Sequence, residues 1–137
     1  GSAAPDAGAA PDAAPEAPAA TPLPEGRITL AEAVELWDQG VFFFDARDEP
    51  AYTRGHVNGA FHLNTEKLRR SGEGLELVQS LPKDATYVVY CTGGDCHDAE
   101  NVATELERIH GFTSVFVMQA GFSEWAAAGY PVEEGAP

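Results

Sequence analysis

An α/β domain of three layers, a central parallel sheet flanked by helices, is predicted by three observations in this 137-residue sequence. VFFFD, TYVVY and SVFVM are short runs rich in aromatic and β-branched residues, suited to strands buried on both faces. Stretches with helical periodicity lie between them. Buried strands alternating with helices over such short distances require parallel pairing through right-handed crossovers.

The elements follow in order. Residues 1–26 are dominated by Ala and Pro, with Leu23 as the one large apolar side chain, and bury too little surface to offset the entropy of ordering. They read as a disordered tether, and 27–137 as the folded domain. Gly1-Ser2 reads as a cloning remnant; with Met118 the only methionine, the natural start is expected upstream. Thr29, with Glu32 three residues on, has the spacing of a capping box. Leu30, Ala33, Val34 and Trp37 fall on one face of the helix it opens, which Gly40 ends. The strand VFFFD stops at Asp45, a charge that a buried strand carries only at its end.

A short helical turn follows Pro50, Gly55 and Gly59 frame a loop, and Ala60-Phe61 is a small strand. Asn64 caps the helix TEKLRR, and residues 75–81, with Pro82 behind them, form another. After TYVVY, an amphipathic helix sets Val102, Leu106 and Ile109 on one side and ends at Gly111. SVFVM is the third strand, and a last helix ends at Gly129 and Pro131. Trp37 and Trp125 are expected to anchor the core.

Charge excludes several classes of partner. With 8 Lys and Arg against 22 Asp and Glu, the net charge of −14 repels phosphate backbones and anionic lipid. Asp6, Asp12, Glu16 and Glu25 lie in the tether, so the domain alone remains acidic. No nucleic acid is expected as a partner, and no run of 18 apolar residues is present to span a membrane.

The chemistry concentrates in YCTGGDCHD, which holds both cysteines of the chain. Ligands of open parallel sheets bind beyond the carboxyl ends of the strands, and Cys91 follows the strand TYVVY directly. Thr92, Gly93, Gly94 and Asp95 form a loop in which glycine tolerates the dihedrals of an amide nest, and the next helix adds its positive dipole end. Together these favour a thiolate, a persulfide or a small anion at Cys91. The structural alternative is a small buried hydrophobe at a strand end.

Four motifs in order resemble those of a rhodanese-type sulfurtransferase domain: FFDAR, AYTRGHVNGAFHLN, VVYCTGGDC and GFTSVFVMQAGFSEWAAAGYPV. The resemblance runs from about residue 27 to 133. It implies that Cys91 accepts a sulfane sulfur as a persulfide and that residues 92–96 form the loop around it. It assigns Asp45 and Arg47 orienting, structural places near the base of the site, and His56 a fold-holding hydrogen bond. His62 and His110 carry no site signal.

Two departures from the family pattern bear on substrate. Cys96 stands where family loops often carry Arg or another polar group, and Asp95 and Asp98 flank it. A dianion such as thiosulfate therefore loses a cation and meets carboxylates, at roughly a kcal/mol or more per close like-charge contact. A persulfide donor is the better expectation. Phosphatases of this fold need a longer loop ending in Arg, which is absent here.

As a metal clip, Cys91, Cys96 and His97 fall one ligand short of a closed zinc site unless Asp95 or Asp98 completes it; no metal and no cofactor are expected. A disulfide over so short a loop removes little unfolded-chain entropy, so its value would be chemical. The favoured reading pairs the nucleophile Cys91 with Cys96 as resolving thiol; His97 either hydrogen-bonds the departing sulfur or caps the helix, the cap preferred. The partners are then a small-molecule or protein sulfane-sulfur donor and a thiol acceptor. The alternative is a redox-sensing or partner-binding module using the same dithiol. A monomer is expected, and tether plus reversible dithiol suit a periplasmic or membrane-tethered domain rather than a cytoplasmic one.

Overall fold

A computed structural model describes residues 26–94 and 96–137. The tether segment 1–25 and Asp95 lie outside the described residues. The elements are β1 (Arg27–Ile28), α1 (Leu30–Asp38), β2 (Phe42–Asp45), α2 (Glu49–Arg54), β3 (His56–Val57), β4 (Phe61–His62), α3 (Thr65–Leu68), α4 (Glu73–Ser80), β5 (Thr86–Tyr90), α5 (Asp98–Arg108), β6 (Ser114–Met118), α6 (Gly121–Ala127) and β7 (Val132–Glu133).

Five strands form a parallel sheet in the order β1-β6-β5-β2-β4, and β3 and β7 make a separate antiparallel pair. The three predicted strands are its centre, which explains their unbroken apolar character: both faces are covered. Phe44, Tyr87, Val89, Val102 and Leu106 pack on one side, and Phe43, Val88, Tyr90, Met118 and Trp125 on the other. Alternation along β5 thus sends Tyr90 to one face and the next residue, Cys91, to the other. Burying side chains of this size contributes roughly 1.5–3 kcal/mol each.

The caps explain the helix boundaries. Thr29 and Glu32 make the reciprocal capping box of α1, and the Asn64 side chain accepts from Lys67 N–H at the start of α3. Trp125 is fully buried, while Trp37 packs edge-on against it, with 6.0 Å between ring centroids, and donates its indole N–H to Asn58 O.

One core assignment is corrected. Ile109 is 69% exposed, because α5 ends at Arg108 and its buried stripe is Ala99, Val102, Ala103 and Leu106. Phe112 takes the place expected of Ile109, entering the core as its N–H bonds Leu106 O. The small strand lies at Phe61–His62, one residue beyond the predicted position. Among the described residues, no helix is long and apolar enough to cross a membrane.

Candidate active site

The parallel strands deliver their carboxyl ends to one edge of the sheet. Asp45 closes β2, Tyr90 closes β5, and the two are register partners. Asp45 Oδ2 accepts the Tyr90 hydroxyl at 2.8 Å, and the Tyr90 hydroxyl oxygen in turn accepts Val57 N–H at 2.9 Å. Arg47 grips the same carboxylate with Nε and Nη2, donates to Gly55 O at 2.5 Å, and stacks over the Phe122 ring. Burial alone would lower the Arg47 pKa, but the hydrogen bonds and charge of Asp45, with a contribution from Tyr90, outweigh it and raise the value. Burial first, then the Asp45 charge, drives the Tyr90 hydroxyl far above its usual range. Asp45, Arg47 and Tyr90 thus form a closed ion pair and hydrogen-bond set directly beneath the cysteine loop.

Cys91 follows Tyr90, is buried, and joins the core on the α5 side of the sheet. The loop then reverses. Gly93 and Gly94 have φ of 118° and 60°, and Cys96 N–H closes the turn on Gly93 O at 3.2 Å. The amino-terminal end of α6 clamps the loop: Phe122 N–H donates to Cys91 O at 2.8 Å and Ser123 N–H to Thr92 O at 3.1 Å. A side chain at Gly93 would collide with the Ala120 carbonyl, so only glycine fits there. Thr92 and Gly94 face solvent.

The turn brings the sulfurs together. Cys91 and Cys96 are joined as a disulfide, with α-carbons 6.3 Å apart, inside the range that bridging needs. Asp98, the first residue of α5, sets Oδ2 3.6 Å from Cys96 Sγ and 3.9 Å from Cys91 Sγ. The three groups bring their ligand atoms within 4.8 Å of one another. With the sulfurs bonded to each other they offer no thiolate, so this state does not suit zinc. Beside them a cavity of ≈170 Å³ is lined by Arg47, Asp48, Asn64, Glu66 and Asp98 among others. Its one cation is already matched by Asp45, and three carboxylates face it.

His97 meets the expected helix cap in position but not in bonding. It occupies the N-cap position of α5, but its side chain makes no capping bond; Nδ1 donates to Glu100 Oε1 at 2.7 Å. Glu100 also pairs with Arg27, and the hydrogen bonds of Arg27 first and His97 second hold its carboxyl below the usual range. His56 Nδ1 bonds Tyr52 O at 2.7 Å and its ring lies flat on Tyr52, in keeping with a fold-holding part. The sequence presents Asp98 as a charge opposing dianions and as a possible fourth ligand of a metal clip, not as a group acting on the thiols. Its position two residues after Cys96, at the first turn of a helix, was the available signal that it faces the sulfurs.

Known proteins are similar throughout this region. The family profile described as Rhodanese-like domain matches residues 29–128. Thiosulfate sulfurtransferase GlpE of Haemophilus influenzae is 32% identical over 111 residues, covering 81% of this chain and 97% of that protein. The protein of the same name in Pseudomonas fluorescens is 30% identical over 107 residues, covering 78% and 89%. The crystal structure of the BH2092 protein of Bacillus halodurans aligns with a TM-score of 0.66 at 21% identity, over 79% of this chain and 76% of that one, a likeness of fold.

Proposed function

The chain belongs to the rhodanese-like domain family, and on that premise we propose that it is a sulfurtransferase in which Cys91 carries sulfane sulfur as a persulfide and Cys96 resolves it. The observation that carries this reading is the bridge between Cys91, at the carboxyl end of β5, and Cys96 across the glycine turn. The relatives named thiosulfate sulfurtransferase support the reaction class. Thiosulfate itself is disfavoured as donor, because Asp48, Glu66 and Asp98 line the adjoining cavity and its single cation is bound to Asp45. A low-molecular-weight or protein persulfide meets less repulsion, and a thiol takes the sulfur away.

Residues 92–94, with Asp95 and His97, form the substrate loop, and Asp45 and Arg47 hold its base. Residues 27–137 are the domain, and 1–26 hold it away from a membrane in an oxidising compartment. Tracing the full-length reading frame checks that location; an anchor-free cytosolic start just upstream of residue 3 overturns it.

Cyanolysis after incubation with a persulfide donor tests the activity. Bound sulfane sulfur is expected, lost in Cys91→Ser and retained in Cys96→Ser. A second reading, a redox-sensing or partner-binding module without turnover, draws on the same disulfide. Absence of cyanolysable sulfur together with reversible bridge formation favours that module.

A further inference from the structure

Resting on the reading of Cys96 as resolving thiol, we propose that Asp98 is a catalytic residue that takes the proton from the Cys96 thiol as its sulfur attacks Cys91. The need for such a group follows from the balance of the step. The outer sulfur of a persulfide is the acidic one and is ionised at neutral pH. Resolution is therefore Cys91-S-S⁻ plus Cys96-SH giving the Cys91–Cys96 disulfide and HS⁻. The bond between Cys91 Sγ and the outer sulfur breaks, with its electron pair leaving on the outer sulfur. The bond between Cys96 Sγ and Cys91 Sγ forms. The sulfane sulfur is reduced to sulfide and the two cysteines are oxidised to the disulfide. Cys96 loses one proton and the leaving sulfur gains one, drawn from solvent, since without it the leaving group is S²⁻.

Asp98 Oδ2 is placed to receive the first of these protons. In the bridged state it lies 3.6 Å from Cys96 Sγ and 3.9 Å from Cys91 Sγ, within reach of the hydrogen that Cys96 carries as a thiol, while the leaving sulfur departs in line on the side of Cys91 away from Cys96 and takes its proton from water. Among the described residues, Asp98 is the one carboxylate or imidazole grouped with the two sulfurs within 4.8 Å; His97 is turned to Glu100. The groups facing Asp98 across the cavity are Arg47, Asp48 and Glu66, from the end of β2, the cap of α2 and α3. The Arg47 guanidinium is committed to Asp45, so none of them neutralises the Asp98 carboxylate. An exogenous dithiol reopens the bridge by exchange, becoming a disulfide itself and returning two protons to the cysteines.

The test mixes the reduced protein with glutathione persulfide and follows sulfide release together with loss of free thiols. In Asp98→Asn, release is expected to fall about a hundredfold, the lower end of the scale of general acid–base catalysis, while protein carrying one added sulfur accumulates by intact mass. Asp98→Glu should restore most of the rate. The Asp98→Asn rate should climb with pH as Cys96 ionises unaided, against a flatter wild-type profile. Loading of Cys91 in a Cys96→Ser background, with and without Asp98→Asn, separates a defect in taking up sulfur from one in releasing it. If Asp98→Asn folds poorly, Asp98→Ser reads the same quantities. Sulfide release at the wild-type rate and pH profile in these variants overturns the role of Asp98 and leaves the resolving thiol standing. A wild-type protein that loads sulfur yet never closes the disulfide overturns the resolving role of Cys96, and this inference with it.

Discussion

Gly93 and Gly121 meet backbone to backbone: a Cβ built on Gly121 would lie 2.5 Å from both the Cα and the N of Gly93. The cysteine loop and the start of α6 are therefore one packed unit, held also by the bonds from Phe122 and Ser123 to the carbonyls of Cys91 and Thr92.

Gly121→Ala is expected to cost about 2 kcal/mol or more, since φ there is 74° and the methyl group has nowhere to go. Urea denaturation measures the loss. Sulfur loading should fall further than stability does, because the displaced atoms belong to the loop around Cys91. A Gly121→Ala variant with wild-type stability and loading would show that the loop and α6 move apart freely.

The Cys91–Cys96 bridge is expected to be reversible with little effect on the fold. In the chain-entropy picture, so short a loop contributes only about 2 kcal/mol. Thiol counting by mass spectrometry across a redox titration should find two thiols or none, within one chain. Two free thiols under every condition, or bridges only between chains, would remove Cys96 from the mechanism.

Donor preference follows from the cavity. Steady-state rates with glutathione persulfide should exceed those with thiosulfate, and replacing Glu66 by Gln should narrow the gap by removing one of the facing carboxylates. A clear thiosulfate preference in the wild type would mean that the loop amides and the dipole of α5 outweigh the carboxylates.

Stability should also fall in mildly acidic solution through His62. Its ring is buried, Nε2 donates to Arg47 O at 2.6 Å, and Nδ1 has no partner. Burial first, with Lys67 assisting, lowers its pKa in the folded state. The unfolded chain then binds the proton more readily, so the contribution is complete above about pH 6.5 and is lost as pH falls from there toward the folded value. Denaturation between pH 7 and 5 should show a slope that His62→Gln reduces. An unchanged slope would assign it to other groups.

Much of this was legible beforehand because a doubly covered parallel strand leaves a plain mark: VFFFD, TYVVY and SVFVM are the centre of the sheet. Of the four two-residue strands, β1, β3 and β7 leave no mark, since two residues hold no period, and β4 is legible only one residue out of place. Ile109 was misassigned because periodicity does not say where a helix stops. In the site, Cys91 and its glycines were marked by their place after a strand. The link from Tyr90 to Asp45 joins residues 45 positions apart, and the ion pair of Glu100 with Arg27 likewise joins residues far apart in the chain. Such contacts are products of the tertiary fold and leave no local pattern.

The ion pair of Asp45 and Arg47, closed by Tyr90 and Gly55, is complete without any atom of residues 92–94 or of Cys96. The foundation and the reactive turn are therefore separable in heredity. Thr92 is exposed, and Gly94, at φ 60° with open space around it, accepts Asn at little cost. Among the described residues of the turn, Gly93 is the one pinned by its neighbour. A lineage can rewrite the turn, exchanging one sulfur donor for another or dropping the second thiol, while the sheet beneath it goes on folding as before.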